Sequence, residues 1–254
     1  MLTYEEAGQG VPVVLIHAFP LSRAMWKGEI GRFSGTARVI APDLPGFGES
    51  ARQGKPSLPQ MAREVGDLLD RLEVREPVMF AGLSMGGYVA FEFIRQFPER
   101  VRGLGLFSAR AGADTPEGRE GRLKAVEKIR GGGLAPFAKT ILPKLLGKTT
   151  LGSKPDLVKQ VSRMIEAGDP AGVADALLAM ADRRDSTDLS ASIRCPTWVI
   201  AGEEDSFIPV SEAEGLAAKI SGARLEVIPK AGHLVNMEQP EVFQGILERF
   251  LKSR

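Results

Sequence analysis

Phe80-Ala81-Gly82-Leu83-Ser84-Met85-Gly86-Gly87-Tyr88 is the stretch on which the fold turns. An apolar run, Val78 to Ala81, leads into Gly82-x-Ser84-x-Gly86, and a helix-compatible run, Tyr88 to Phe97, leads out. Strand, sharp turn and helix in that order form the context in which a serine hydroxyl is thrust out at the carboxyl edge of a sheet. Small neighbours are needed because the serine backbone is forced into a strained conformation. The helix that follows aims its N-terminus at the same spot, where developing negative charge is stabilised. The plainer alternative is a small-residue turn around a solvated serine; the flanking strand and helix favour a nucleophile.

Further apolar runs rich in β-branched residues lie at Val11 to Ile16, Val39 to Ala41, Val101 to Phe107, Thr197 to Ala201 and Leu225 to Ile228. Near-continuous apolarity, as in Val13-Val-Leu-Ile and Trp198-Val-Ile, predicts strands covered on both faces. Helical spacing fills Ser57 to Leu72, Ser211 to Ile220 and Glu241 to Leu251. Strand and helix alternating in this way predict an α/β protein with a mostly parallel central sheet flanked by helices. The alternation stops in the middle. From about Ala113 to Ser192 only amphipathic helical stretches occur, with a helix start at Thr115-Pro116-Glu117 and hinges or turns at Gly131-Gly-Gly and Gly147 to Pro155. The chain therefore divides into a core of residues 1–112 and 193–254 and a helical cap, or lid, of residues 113–192.

A serine is a weak nucleophile at neutral pH and needs a base beside it. Only two histidines exist, His17 and His233. His233 lies in Gly232-His233, in the loop after the strand Leu225 to Ile228, which puts it at the same sheet edge as Ser84. An acid is expected between nucleophile and base in chain order. Asp205 at the end of Gly202-Glu203-Glu204-Asp205 is one; Glu203, Glu204 and Asp114 compete with it.

Composition removes other classes of function. Among 254 residues, 33 Lys and Arg balance 32 Asp and Glu, with no basic tail or stripe for a phosphate backbone, so nucleic acid is not an expected partner. The longest uncharged run, Val78 to Phe91, falls short of the roughly 20 apolar residues of a membrane span. Two histidines exclude a His-rich metal site, and Gly46-Phe-Gly48 lacks the third glycine of a dinucleotide fingerprint. No metal or cofactor is expected. A single cysteine, Cys195, forms no internal bridge and reads as a small buried residue. Met1-Leu-Thr-Tyr-Glu-Glu lacks the features of a secretory signal, so a cytoplasmic location is the default expectation. Lys and Arg of the helical cap alternate with acids and read as a solvated face.

Taken together, His17-Ala-Phe-Pro20, Asp43-Leu-Pro-Gly46-Phe-Gly48-Glu-Ser50, Gly82-Leu-Ser84-Met-Gly86-Gly87, Gly202-Glu-Glu-Asp205 and Gly232-His233 resemble the α/β-hydrolase superfamily, in that family's order. The elbow and compact helical lid are most similar to its small carboxylesterase, enol-lactonase and cofactor-free haloperoxidase group. The resemblance implies a catalytic triad of Ser84, Asp205 and His233, since the family's acid ends the Gly-x-x-Asp turn. It implies an oxyanion hole from the backbone N–H groups of Phe19 and Met85, with His17 structural. Ala18 stands where the family has glycine, and, Leu2 to Gly8 being similar to the family's second strand, its first strand is expected to be absent or vestigial. The implied activity is hydrolysis of small to medium uncharged carboxylic esters through an acyl-enzyme, with Phe137, Ile141, Leu142 and Leu145 of the lid walling the pocket. Lactone, enol-lactone or carbon-carbon bond hydrolysis and perhydrolysis are alternatives within the family, and a ligand-sensing receptor with a slow triad is one outside enzymology. A monomer or homodimer is expected. Activity should fall on acidification as a single histidine takes up a proton.

Overall fold

The apolar runs become strands of one seven-stranded sheet in a computed structural model that describes residues 1–52 and 54–253. The first half of the chain is β1 (Tyr4–Ala7), β2 (Pro12–Ile16), α1 (Lys27–Phe33), β3 (Arg38–Pro42), α2 (Leu58–Arg71), β4 (Val78–Leu83), α3 (Met85–Gln96) and β5 (Val101–Phe107). Six helices follow without a strand: α4 (Pro116–Gly132), α5 (Leu134–Leu145), α6 (Lys148–Ser153), α7 (Pro155–Glu166), α8 (Pro170–Ala181) and α9 (Thr187–Ser192). The chain returns to the sheet with β6 (Thr197–Gly202), α10 (Val210–Lys219), β7 (Arg224–Ile228), α11 (Val235–Glu238) and α12 (Pro240–Leu251).

The spatial order is β1-β3-β2-β4-β5-β6-β7, with β1 antiparallel to β3 and the other pairs parallel. β2, β4 and β6 are buried at every residue, which is why they are apolar without alternation. Phe93 of α3 stacks on Phe80 of β4 at 4.3 Å, while Phe243 of α12 meets Phe107 of β5 edge-on at 5.2 Å on the opposite face. α2 forms because Ser57 caps it, accepting from Gln60 N–H at 3.3 Å, and because Leu58, Met61, Val65, Leu68 and Leu69 share one buried stripe. Each such side chain contributes roughly 1.5–3 kcal/mol on burial.

Strand order also decides where a site can form. β3 lies on one side of β2 and β4 on the other, so the loops leaving β2 and β4 diverge and open a crevice at the carboxyl edge. The loops after β2 and β4 are those of His17 to Pro20 and of Ser84.

Two of the close backbone contacts that seat the helical segment α4–α9 on the sheet half involve glycines. A Cβ on Gly172 of α8 would lie 2.1 Å from Gly46 O, and one on Gly232 would lie 2.2 Å from Gly147 N. At the first hinge read from the sequence, α4 runs through Gly132 and breaks at Gly133, whose φ of 74° suits glycine. The second differs from expectation: Gly147 to Pro155 holds α6, whose first turn is anchored by Glu204 accepting from Thr149 N–H at 2.8 Å. Among the described residues, no helix is long and apolar enough to cross a membrane.

Candidate active site

Ser84 terminates β4 and caps α3 with φ 57° and ψ −111°. A non-glycine residue there carries on the order of 1–3 kcal/mol of strain, which persists only where the surroundings enforce it. They do: a Cβ on Gly82 would sit 2.1 Å from Gly86 O, one on Gly86 2.3 Å from Ile16 O, and one on Gly87 2.5 Å from the Ala109 methyl. Ser84 N–H donates to Phe107 O at 2.8 Å and ties the turn to β5.

The loops after β6 and β7 bring the second half of the site together. Gly202 allows their approach, since a Cβ there would lie 2.0 Å from Gly232 O. His233 Nδ1 is 2.8 Å from Asp205 Oδ2, and both residues are buried. Asp205 Oδ1 accepts from the N–H groups of Phe207 at 2.8 Å and Ile208 at 3.0 Å, so both carboxylate oxygens are engaged and the group is held in one orientation. With Nδ1–H donating to Asp205, Nε2 carries the free lone pair. His233 and Ser84 line the same cavity of ≈ 470 Å³. Among the described residues, no hydrogen bond joins the Ser84 hydroxyl to the ring; such bonds commonly tighten only with substrate.

None of the competing acids touches His233. Glu203 accepts from Lys230 N–H at 3.1 Å, and Glu204 accepts from Thr149 N–H and Oγ1. Asp114 is held by Arg122, Arg183 and Arg110. Burial alone would raise its carboxyl, but hydrogen bonds and charge from Arg122 and Arg183 outweigh that and hold it below the usual carboxylate range.

His17 lies in another environment. It is fully buried, its Nε2 accepts from Leu44 N–H at 3.0 Å, and Nδ1 faces Ala18 O at 3.1 Å. Burial lowers its pKa, with the nearby Asp43 carboxylate opposing, so the ring stays neutral and clamps the β2 loop to the β3 loop. Ala18 N–H points at Met25 Sδ, 3.2 Å away. Among the described residues, the N–H groups of Phe19 and Met85 donate to no protein acceptor. Those two amides flank the crevice from β2 and from the first turn of α3.

Of the four lid residues that the family resemblance implies for the pocket wall, Phe137, Ile141 and Leu145 of α5 line the cavity. Leu142 does not: it is buried one step round the helix from the i, i+4, i+8 row that faces the cavity. A second correction concerns the basic residues of this segment. Arg122, Lys124 and Lys128 of α4 and Lys144 of α5 surround the cavity, together with Arg110 from the β5 loop, instead of forming only a solvated face. Periodicity shows which residues share a helix face but not what that face overlooks.

Glu238 is a further site residue, one that no sequence motif marks. It is fully buried and accepts from three backbone N–H groups: Gly232 at 2.9 Å, Leu234 at 3.1 Å and Gly147 at 2.8 Å. The first two flank His233, and the third belongs to the α5–α6 connection. His233 N–H in turn donates to Leu145 O at 3.1 Å. Its place five residues after the histidine carries no local signal of this role.

Sheet order, serine elbow and switch-point crevice are those of an α/β hydrolase. Residues 11–240 match the family model for the alpha/beta hydrolase fold, and the chain belongs to that family. A 3-oxoadipate enol-lactonase from Acinetobacter baylyi is 30% identical over 254 residues, which cover 99% of this chain and 93% of the relative. A thermophilic esterase from Thermogutta terrifontis, solved with malate bound, has a TM-score of 0.96 and 40% identity over 99% of this chain and 93% of its own. A hydrolase from Pseudomonas aeruginosa has a TM-score of 0.90 and 30% identity over 99% and 94%.

Proposed function

We propose that the protein hydrolyses carboxylic esters, including the internal esters of lactones, through an acyl-enzyme on Ser84. One observation carries the reading: an imidazole oriented by Asp205 at 2.8 Å lines the same cavity as a serine held at φ 57°. His233 Nε2 takes the Ser84 proton as the oxygen attacks the carbonyl, and Asp205 stabilises the imidazolium. The N–H groups of Phe19 and Met85 receive the oxyanion, each contributing about 2.7–4 kcal/mol to transition-state stabilisation. The imidazolium protonates the departing alkoxide, and water activated by the same histidine then releases the acid. No step calls for a metal or cofactor. Residues 113–192 act as the lid, with Phe137, Ile141 and Leu145 supplying apolar wall, and a cavity of ≈ 470 Å³ suits small to medium substrates. Its basic lining gives no support to restricting them to uncharged ones.

The test is a panel of p-nitrophenyl acetate, p-nitrophenyl butyrate and γ-butyrolactone with wild-type protein and Ser84→Ala. Steady turnover in wild type and a loss on the order of 10⁶ in kcat in the variant support the reading. Substantial turnover by Ser84→Ala refutes it, and stoichiometric release that then stalls would point to a ligand-sensing protein instead.

A further inference from the structure

We infer that the cavity selects substrates carrying a carboxylate a few bonds from the scissile carbonyl. The inference rests on the ester-hydrolase reading for what reacts at Ser84; the charge of the pocket stands apart from it. Five basic residues and one acid stand on the cavity wall: Arg110, Arg122, Lys124, Lys128, Lys144 and Asp114. The acid is already saturated. Arg122 and Arg183 each approach Asp114 to 2.5 Å and Arg110 to 3.3 Å, so three guanidinium groups share one carboxylate. Lys124 pairs with Glu120 at 2.7 Å, whereas among the described residues Lys128 and Lys144 form no ion pair. The excess is local: the chain as a whole carries a formal charge of only +1.

Placement turns this excess into a recognition element. β5 pairs with β4 so that Leu83 lies opposite Phe107, and the loop leaving β5 therefore emerges beside the serine elbow. Ala109 packs against Gly87, and Arg110 follows it onto the cavity wall. The same wall includes Phe137, Ile141 and Leu145, and low-dielectric walls focus the field of the charges that border them. A ligand with a carbonyl at Ser84, a short apolar stem and a terminal carboxylate meets all three zones. An uncharged diester leaves the basic zone without a counterion.

The experiment compares monomethyl glutarate, an anion, with dimethyl glutarate, its neutral counterpart. Binding is read calorimetrically on Ser84→Ala, and hydrolysis by pH-stat on wild type. Monomethyl glutarate should bind more tightly by at least about fivefold at low salt, the preference falling as ionic strength screens it. In Lys128→Gln/Lys144→Gln, which alters only exposed side chains, the ratio of the two affinities should move toward one. Equal affinities, or the same salt dependence for both compounds, overturn the inference. Selective binding of the anion with no Ser84-dependent hydrolysis of either compound would overturn the ester-hydrolase reading while leaving the anion site in place.

Discussion

Gly147 N–H donates to Glu238 Oε2 at 2.8 Å, and through this one carboxylate the connection between α5 and α6 is tied to the loop that holds His233. All three groups bonded to the Glu238 carboxylate are donors, so only a side chain accepting through both oxygens satisfies them. Glu238→Gln turns an NH₂ toward at least one buried N–H. The unpaired groups should cost about 1–3 kcal/mol of stability, and kcat should fall more than KM rises as His233 loses its fixed backbone. Thermal unfolding and steady-state kinetics on p-nitrophenyl butyrate check both; a variant with wild-type Tm and kcat would show that the bracket is dispensable.

Gly172 is the third residue of α8, and within a helix alanine is normally better than glycine by up to about 1 kcal/mol. Its Cβ would fall 2.1 Å from Gly46 O, so Gly172→Ala should instead destabilise the protein or unseat α8. Gly245 is the control, an exposed glycine in α12 with open space around its would-be Cβ. Gly245→Ala should hold or raise Tm; a similar rise in Gly172→Ala would contradict the contact.

Asp205 and Asp114 should respond differently to the same change. Asp205→Asn removes the acceptor that fixes the His233 tautomer and should lower kcat by on the order of 10⁴. Asp114→Asn leaves Arg110, Arg122 and Arg183 clustered without their anion, and its main effect should be on unfolding in urea. Equal losses of kcat from the two variants would argue against Asp205 as the orienting acid.

Glu29 sets a pH dependence of stability. Burial, only partly offset by Gln244 and Asn236, pushes its carboxyl from an ordinary 4.5 up to about 7. Between those values the folded state retains a proton that the unfolded chain has released, so stability should fall as pH rises from 4.5 through 7. The loss attributable to this group is at most about 3 kcal/mol. Glu29→Gln should flatten that part of the profile and unfold at higher urea than wild type at pH 8. Parallel wild-type and variant profiles would show that Glu29 does not titrate in this window.

Much of the scaffold is written locally. Val13-Val-Leu-Ile and Trp198-Val-Ile read as doubly covered strands because a parallel sheet buries both faces. Gly82, Gly86 and Gly87 mark the elbow because neighbouring backbone, and at Gly87 the Ala109 methyl, leaves no room for a Cβ. A chain with only two histidines narrows the choice of base to His17 and His233 by composition alone. The candidate acid was less legible, since Glu203, Glu204 and Asp205 are chemically alike and adjacent. Their partners distinguish them: Lys230 N–H and the His233 ring at two points of the loop after β7, and Thr149 in the first turn of α6.

Tertiary structure alone decided the features that depend on where distant backbones meet. Glu238 is separated by 91 residues from the Gly147 N–H it accepts, and Glu204 by 55 from Thr149. No periodicity encodes such pairings. The same holds for Arg122, Lys124 and Lys128, whose spacing fits a solvated helix face equally well. They became a cavity wall because α4 and α5 lie over the serine elbow, an arrangement set by how the whole helical segment seats on the sheet.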